Sequence, residues 1–437
     1  MKLTINNKTF TDNSSVVDQN TTFVVSSQNK KFVNDAKKNG CEDFITSREL
    51  KQYFDFSSIK IVGITGTNGK TSTAAAIYSF LLDLGYKVAF QGTRGFYIND
   101  EKKENYSLTT PVQLGNFAHI QEACQNGCNF FVMEVSSHSI SQKRIEGLDF
   151  ALKIHTNITQ DHLDYHKSIQ EYIDVKNSFF QDDTPKLINK DDPKVKFKMK
   201  NAYSYSLDNP STYNVLAFSL QNGITCAIQH FGKIVNFSSP MMGMFNVYNL
   251  TAAIAAVHIL TQKDLEEICD VVENFAGVSG RMEIVNNDPL IVVDFAHTPD
   301  GMQQVFEAVK DNDIIVVFGA GGNRDKSKRA IMGKVANEYA KHIIVTADNP
   351  RFEDPDIIVD NIVSGVADKD KLEIDLNRKS AISKAIIKSK YKEFNNPVVL
   401  VLGKGDEENQ IIYDQKMPFN DRVAIEDILT NSNTNIK

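Results

Sequence analysis

Ile59-Lys60-Ile61-Val62-Gly63-Ile64-Thr65-Gly66-Thr67-Asn68-Gly69-Lys70-Thr71-Ser72-Thr73 opens as a short apolar strand, turns through glycines spaced three apart, and runs into an alanine-rich helix expected over Ser72–Leu84. This is the pattern of a phosphate-binding loop. The glycines let the backbone curl so that its N–H groups face inward, and the helix N-terminus adds positive partial charge. Lys70 then reaches a terminal phosphate and Thr71 offers a hydroxyl to Mg²⁺. Gly66, Thr67, Asn68, Gly69, Lys70, Thr71 and Ser72 form the expected cradle. The common pattern wants a glycine at Ile64, and here Gly63 and Gly66 stand on either side of it. The competing reading is an ordinary strand–turn–helix junction.

Around this stretch the chain is 437 residues long, which calls for two to three domains rather than one core. It is 41% hydrophobic and 24% charged, with a net charge of -7 and no long charge runs, which argues against nucleic acid as a partner. No apolar stretch is expected to cross a membrane, and the first residues lack a basic segment followed by an apolar one, so the expected setting is cytoplasmic. The five cysteines are scattered in no common zinc pattern and are expected to be reduced.

Residues 1–57 read as a small separate piece, with a strand at Thr22–Val25, a short helix at Phe32–Asn39 and a charged connector after Thr46. Residues 58–282 alternate strands with helices, which implies an α/β domain with a mostly parallel sheet covered on both faces and ligands at the C-terminal strand ends. The section Ala202–Pro240 reads as an antiparallel addition, followed by a helix over Phe245–Leu260. Residues 283–437 show a second α/β alternation of Rossmann-like character, and Gly277–Gly280 beside Arg281 reads as the hinge.

Glu134 ends the apolar strand Phe130-Phe131-Val132-Met133, where a Mg²⁺ ligand is expected beside a phosphate loop; otherwise it is a carboxylate capping a strand. Asp161-His162-Leu163-Asp164-Tyr165-His166 places metal-binding groups after the strand ending at Asn157, though such loops are often only solvated. Asp294 and His297 end the first strand of the later domain, positioned for ribose, base or Mg²⁺, or else as a helix cap and a surface histidine. Arg281, Asn246 and Asn249 are ambiguous in isolation. Three further loops carry Arg324, then Asp348-Asn349-Pro350-Arg351, then Gly403 to Glu407. Their convergence suits a zwitterion, because arginine pairs bidentately with carboxylates.

Taken together these motifs resemble the Mur ligase family, the ATP-dependent amide-bond-forming enzymes of peptidoglycan precursor synthesis. The resemblance runs from about residue 59 to the end, through Thr65 to Thr71, Thr109-Thr110-Pro111, Glu134 to His138, Asn157 to His166, Gly243 to Asn246 with Asn249, Gly280-Arg281 and Asp294 to Asp300. Within the family the sequence is most similar to the ligases that extend UDP-N-acetylmuramoyl-L-alanyl-D-glutamate. Asp348-Asn349-Pro350-Arg351 resembles the signature of members that add meso-diaminopimelate; those adding L-lysine usually lack the arginine.

The resemblance implies three domains: a small N-terminal one for the uridine nucleotide, a central ATPase domain and a C-terminal domain for the amino acid. It implies ATP and Mg²⁺, probed by Lys70 and Thr71, with Glu134 and His162 as metal ligands. It also implies that Lys176 is carbamylated and binds a second Mg²⁺. Asn246, Asn249, Arg281, Asp294 and His297 match nucleotide-side positions. Ser14, Thr109, Thr110, Ser136, Gln142 and Arg144 match the muramoyl-dipeptide site; Arg324, Asp348, Asn349, Arg351, Gly403 and Glu407 match the diaminopimelate pocket. A monomer is expected, with no nucleic-acid or membrane partner. The chain departs from the family at Asn13-Ser14-Ser15, where only Ser14 carries over, at Asp406, where histidine is usual, and at Asn323, where aspartate is usual. The alternatives are an L-lysine-adding member, a folylpolyglutamate synthase-like ligase, and a slow ATP-dependent switch with no amino-acid pocket.

Overall fold

The computed structural model describes residues 1–105 and 108–434. Its centre is an eleven-stranded sheet in which Lys60–Thr65 lies between Phe130–Glu134 and Phe150–His155, both parallel to it. Every residue of Phe130–Glu134 is buried, as a parallel strand covered on both faces requires. The pairing sets Ile64 opposite Glu134 and Thr65 opposite His155, so three strand ends open at one edge. The phosphate-loop helix, Lys70–Asp83, starts two residues earlier than expected, and its last residue is within one of the expected end.

The section after Ala202 corrects the sequence expectation. Ala202–Ser206 continues the parallel order beside Lys186–Asn189, and Tyr213–Ser219 is parallel to it; only Ile224–His230 and Lys233–Ser239 run antiparallel. Buried Tyr205 and Tyr213 share one core with the helix Met244–Thr261, which covers these strands. That helix is long and apolar enough, by length and composition, to cross a bilayer, which the sequence reading passed over. Here it is a core helix: it packs against Lys70–Asp83, and residues from Val247 to Val257 are mostly buried.

The N-terminal piece is a four-stranded sheet in the order Lys2–Ile5, Lys8–Thr11, Thr21–Val25, Asp43–Thr46. The segment after Thr46 is not a plain connector but a 3₁₀ turn, Glu49–Tyr53. Phe54 then packs edge-on, and Phe56 tilted, against Phe117 of the central domain.

The C-terminal six-stranded sheet is parallel across Leu290–Asp294, Pro397–Leu402, Asp313–Phe318, His342–Val345 and Leu372–Ile374, with Glu283–Asn287 antiparallel at its edge. A helix, Pro355–Val363, and a hairpin, Asn409–Ile412 with Gln415–Pro418, were not foreseen. Met242 and Phe245, from the central domain, pack on this domain's core and fix one edge of the seam between the two.

Arg378 and Asp421 join the start of one C-terminal helix to the start of the last. Both side chains are almost completely buried; the guanidinium donates to both carboxylate oxygens at 2.7 Å and to Leu402 O at 3.0 Å. Removing one member of a buried pair strands the other charge. Asp421→Ala is therefore expected to destabilise the C-terminal domain by about 3–5 kcal/mol, read as an earlier urea transition with the central domain's transition unmoved.

Candidate active site

Gly66 and Gly69 are demanded by contact and by backbone conformation. A Cβ on Gly66 would lie 1.8 Å from Thr156 Oγ1, and Gly69, at φ 82°, leaves no room beside Asn249 Oδ1. The loop between them is stitched to the next strand end. Thr67 N donates to Asn157 O at 2.7 Å, Asn68 N to Asn157 Oδ1 at 2.9 Å, and Thr156 Oγ1 to Asn68 O at 2.6 Å. Lys70 Nζ lies over this curl, donating to Gly66 O and Thr67 O at 2.8 and 2.9 Å. Burial holds its ammonium below the ordinary value, opposed by the charges of Glu134 and Asp161.

Glu134 is fully buried and held from two sides. Thr71 Oγ1 donates to Oε2 at 3.0 Å, while Thr93 donates through its backbone N–H to Oε1 at 3.0 Å and through its hydroxyl to Oε2 at 3.3 Å. Thr93 was missed in the sequence because its role depends on a neighbouring strand. A hydroxyl beside a fixed carboxylate is a donor set suited to Mg²⁺, a hard cation that takes oxygen ligands. Among the described residues no three His, Cys, Asp or Glu side chains form a metal cluster. Lys176 lies on the other side of the loop, 1% exposed, with Nζ donating to Gly66 O at 2.8 Å. Burial, and then the Lys70 charge, hold its amine well below the ordinary lysine value.

His162 sits in the left-handed region at φ 54°, an uncommon conformation for a non-glycine residue that collects at functional sites. Its ring meets His138 edge-on at 4.9 Å, and burial pushes it down to about 3. Beside it, Asp161 faces nitrogen groups from both domains, the His162 ring Nε2 at 3.4 Å, the His297 ring Nε2 at 4.0 Å and the Lys328 ammonium at 3.9 Å. Asn68 Nδ2 donates to Asp300 Oδ2 at 2.9 Å, and Arg324 Nη1 reaches Asp164 Oδ2 at 3.5 Å, so the C-terminal domain is closed onto the phosphate loop.

On the helix Met244–Thr261, Asn249 Nδ2 donates to Asn246 Oδ1 at 2.9 Å, and Thr73 Oγ1 donates to Asn249 Oδ1. Arg281 stacks on Phe295 at 4.1 Å. Asp294 accepts from Met282 N and Ala296 N, and burial raises its carboxyl. Burial, then Lys328, lowers His297 to about 4.

Across the cavity, Arg351 is also left-handed, at φ 52°, and its Nη1 donates to Gly322 O at 3.0 Å. Asn349 Nδ2 and Lys404 Nζ both donate to Glu407 Oε2 at 2.8 Å, and a Cβ on Gly403 would meet Asp348 Oδ2 at 2.6 Å. Lys70, Thr71, Glu134, His162, Arg324 and Arg351 all line one cavity of about 730 Å³, as do Thr109, Ser136, Arg144, Asn249, Arg281, Asp294, His297, Asp348, Asn349, Gly403 and Glu407.

Other expected residues stand behind that wall. Gly66, Lys176 and Asn246 do not line it. Thr110 Oγ1 donates to Glu134 O at 2.9 Å, and Arg144 Nη1 to Thr110 O at 2.7 Å. Gln142 contacts Gln28 and Arg144 where the N-terminal and central domains meet. Ser14 lies in the N-terminal domain, where its carbonyl accepts from Asn39. Of the other departures from the family pattern, Asp406 pairs with Arg94 at 3.6 Å, and Asn323 Oδ1 accepts from Phe352 N.

Comparison with known proteins gives a consistent set of likenesses. Residues 64–257 match the family model of the Mur ligase middle domain, and residues 280–405 that of the Mur ligase, glutamate ligase domain. The chain is 52% identical over 403 residues to the UDP-N-acetylmuramoyl-L-alanyl-D-glutamate--2,6-diaminopimelate ligase of Wolinella succinogenes, covering 92% of each protein. It is 50% identical over 391 residues to the protein of the same name from Helicobacter pylori, covering 88% of this chain and 86% of that one. A solved structure of a ligase with that name aligns at TM-score 0.67 and 28% identity, covering 97% of this chain and 95% of the other.

The lowered histidines carry a pH dependence. His138 and His297 titrate near 4 when folded, against an ordinary 6.5, in each case through burial first. Between about pH 6.5 and 4 the unfolded chain binds protons that the folded chain refuses, so stability falls as pH falls through that window. The melting temperature is expected to drop between pH 7 and 5, and less steeply in His297→Gln.

Proposed function

The chain belongs to the Mur ligase family, and from that premise we propose that it uses ATP to join meso-2,6-diaminopimelate to UDP-N-acetylmuramoyl-L-alanyl-D-glutamate. The observation that carries this reading is the single cavity shared by the phosphate loop and the Arg324–Arg351 pocket. A ligation in two steps needs an activating site and an acceptor site within reach of one carbonyl carbon.

In the first step the terminal carboxylate of the nucleotide substrate attacks the γ-phosphorus of ATP, and the bond to ADP breaks. Lys70 and the amides of Gly69 to Ser72 face the charge that builds on the transferring group. Thr71 and Glu134, with His162 and a carbamylated Lys176, would hold Mg²⁺; the ion neutralises phosphate oxygens when bound. Thr93 keeps the Glu134 carboxylate turned toward Thr71.

In the second step the amine of diaminopimelate attacks the acyl phosphate and phosphate leaves. Arg351 and Arg324 bind the distant carboxylate, and Asn349, Asp348 and Glu407 face its ammonium. Closure excludes water, which would otherwise hydrolyse the acyl phosphate. Asn249, Arg281, Asp294 and His297 hold the nucleotide, while Thr109, Thr110, Ser136, Gln142, Arg144 and Ser14 serve the muramoyl-dipeptide nucleotide.

The proposed domain bounds are residues 1–57, 58–282 and 283–437. The setting is the cytoplasm, where ATP and nucleotide-linked precursors are found, and the protein acts as a monomer. Lysine adds CO₂ through its uncharged amine, the form that burial of Lys176 favours: the N–C bond forms, a proton leaves, and a carbamate anion results. With ¹³C-bicarbonate, a carbamate carbon signal is expected that Lys176→Met lacks.

Phosphate release should require both the muramoyl-dipeptide nucleotide and diaminopimelate. Preference for L-lysine would keep the ligase but overturn the reading of Arg351, and release indifferent to both would leave a switch. Arg351→Ala is expected to raise the KM for diaminopimelate about ten- to a hundredfold, the worth of charge-assisted hydrogen bonds, with the KM for ATP nearly unchanged.

A further inference from the structure

Lys328 and Arg329 are consecutive cations at the start of the helix Ser327–Tyr339, and they have opposite fates. Arg329 is fully buried and paired: its two terminal nitrogens donate to the Glu353 oxygens at 2.8 Å, with Gly321 O and Asn361 Oδ1 as further acceptors, while its Nε has no partner among the described residues. Lys328 is only 9% exposed, yet among the described residues its ammonium has no hydrogen-bond acceptor; the nearest opposite charge is Asp161 Oδ1, 3.9 Å away. Its side chain lines the cavity. The ammonium opens into that cavity with no acceptor of its own, so an anion bound there would complete it.

The position says which anion. Asp161 follows the run Thr156–Thr159, which is bonded to the phosphate loop through Thr67 and Asn68. Lys70 and Lys328 both act on Asp161. The charges that bear on Arg351 are instead Arg324, Asp348, Glu407 and Asp164. Lys328 therefore faces the phosphate end of the cavity from the C-terminal domain, opposite Lys70, and the first turn of its helix adds positive partial charge there.

We propose that Lys328 is a further catalytic residue, a cation that the closed C-terminal domain sets against the phosphoryl group passing from ATP to the acceptor carboxylate. The inference rests on the ligase reading above. Lys328 gives up no proton: the carboxylate oxygen bonds to phosphorus, the bond to ADP breaks, and the ammonium neutralises charge on the oxygens in transit. Asp161 holds the ammonium in place until that group arrives.

The test compares Lys328→Met, Lys328→Gln and Lys328→Arg with Asp161→Asn, by phosphate release with ATP, Mg²⁺, the muramoyl-dipeptide nucleotide and diaminopimelate. Wild-type turnover dependent on both substrates is the control; without it the ligase reading fails, separately from this one. Lys328→Met and Lys328→Gln are expected to lower kcat about a hundred- to a thousandfold, the size of losing one preorganised donor. The KM for diaminopimelate should move less than about threefold. Lys328→Arg should recover part of kcat, and thermal unfolding identifies any variant that has lost its fold. A loss no larger than that of Asp161→Asn would make Lys328 a closing contact only. A loss confined to the KM for diaminopimelate would assign it to the amino-acid carboxylate. Either result overturns the proposal.

Discussion

Backbone N–H groups bind phosphate oxygens only where no side chain stands between them, and the architecture of the central domain follows from keeping that space clear. Gly66 and Gly69 remove the side chains. The loop they leave has no packing of its own, so Thr156 and Asn157 hold it by hydrogen bonds from the next strand end. Those partners must leave the sheet at the same edge as Thr65. Parallel order, with Lys60–Thr65 between Phe130–Glu134 and Phe150–His155, meets that demand and delivers Glu134 to Thr71 as well.

The second domain completes this site with charge. Asp161 stands between His162 of its own loop and His297 and Lys328 from across the seam, while Asn68 of the phosphate loop bonds directly to Asp300. A group on the phosphate loop thus senses where the C-terminal domain stands. Arg329 and Glu353 brace the Gly321 and Arg351 loops from behind, leaving the neighbouring lysine to the cavity.

Local patterns carried much of this into the sequence. The strand at Lys60–Thr65 and the helix at Lys70–Asp83 are legible because glycine spacing and apolar runs are local properties. The hairpin Asn409–Ile412 with Gln415–Pro418 was not legible: its strands are polar and half-exposed, and Arg351 of a distant loop pairs with Ile412. The parallel placement of Ala202–Ser206 was hidden because strand order is decided by what covers each face. Lys176 and Lys328 look like surface lysines in the chain; only the fold shows them buried, since burial is set by neighbours more than a hundred residues away. Thr93 escaped notice because its partner, Glu134, stands on another strand.

The seam between the large domains has two unlike edges. Met242 and Phe245 make one edge apolar, whereas the edge at the cavity mouth is made of the Arg324–Asp164 and Lys328–Asp161 charge contacts and an amide–carboxylate bond. If such a seam parts at its ionic edge, water meets groups that it solvates readily, and the oily edge stays dry. Wetted charge also does not associate as exposed apolar surface does, so repeated opening carries little danger of clumping. A molecule built this way resembles a bound book: the spine is greased, the leaves are wettable, and each turn of the page returns it to the same crease.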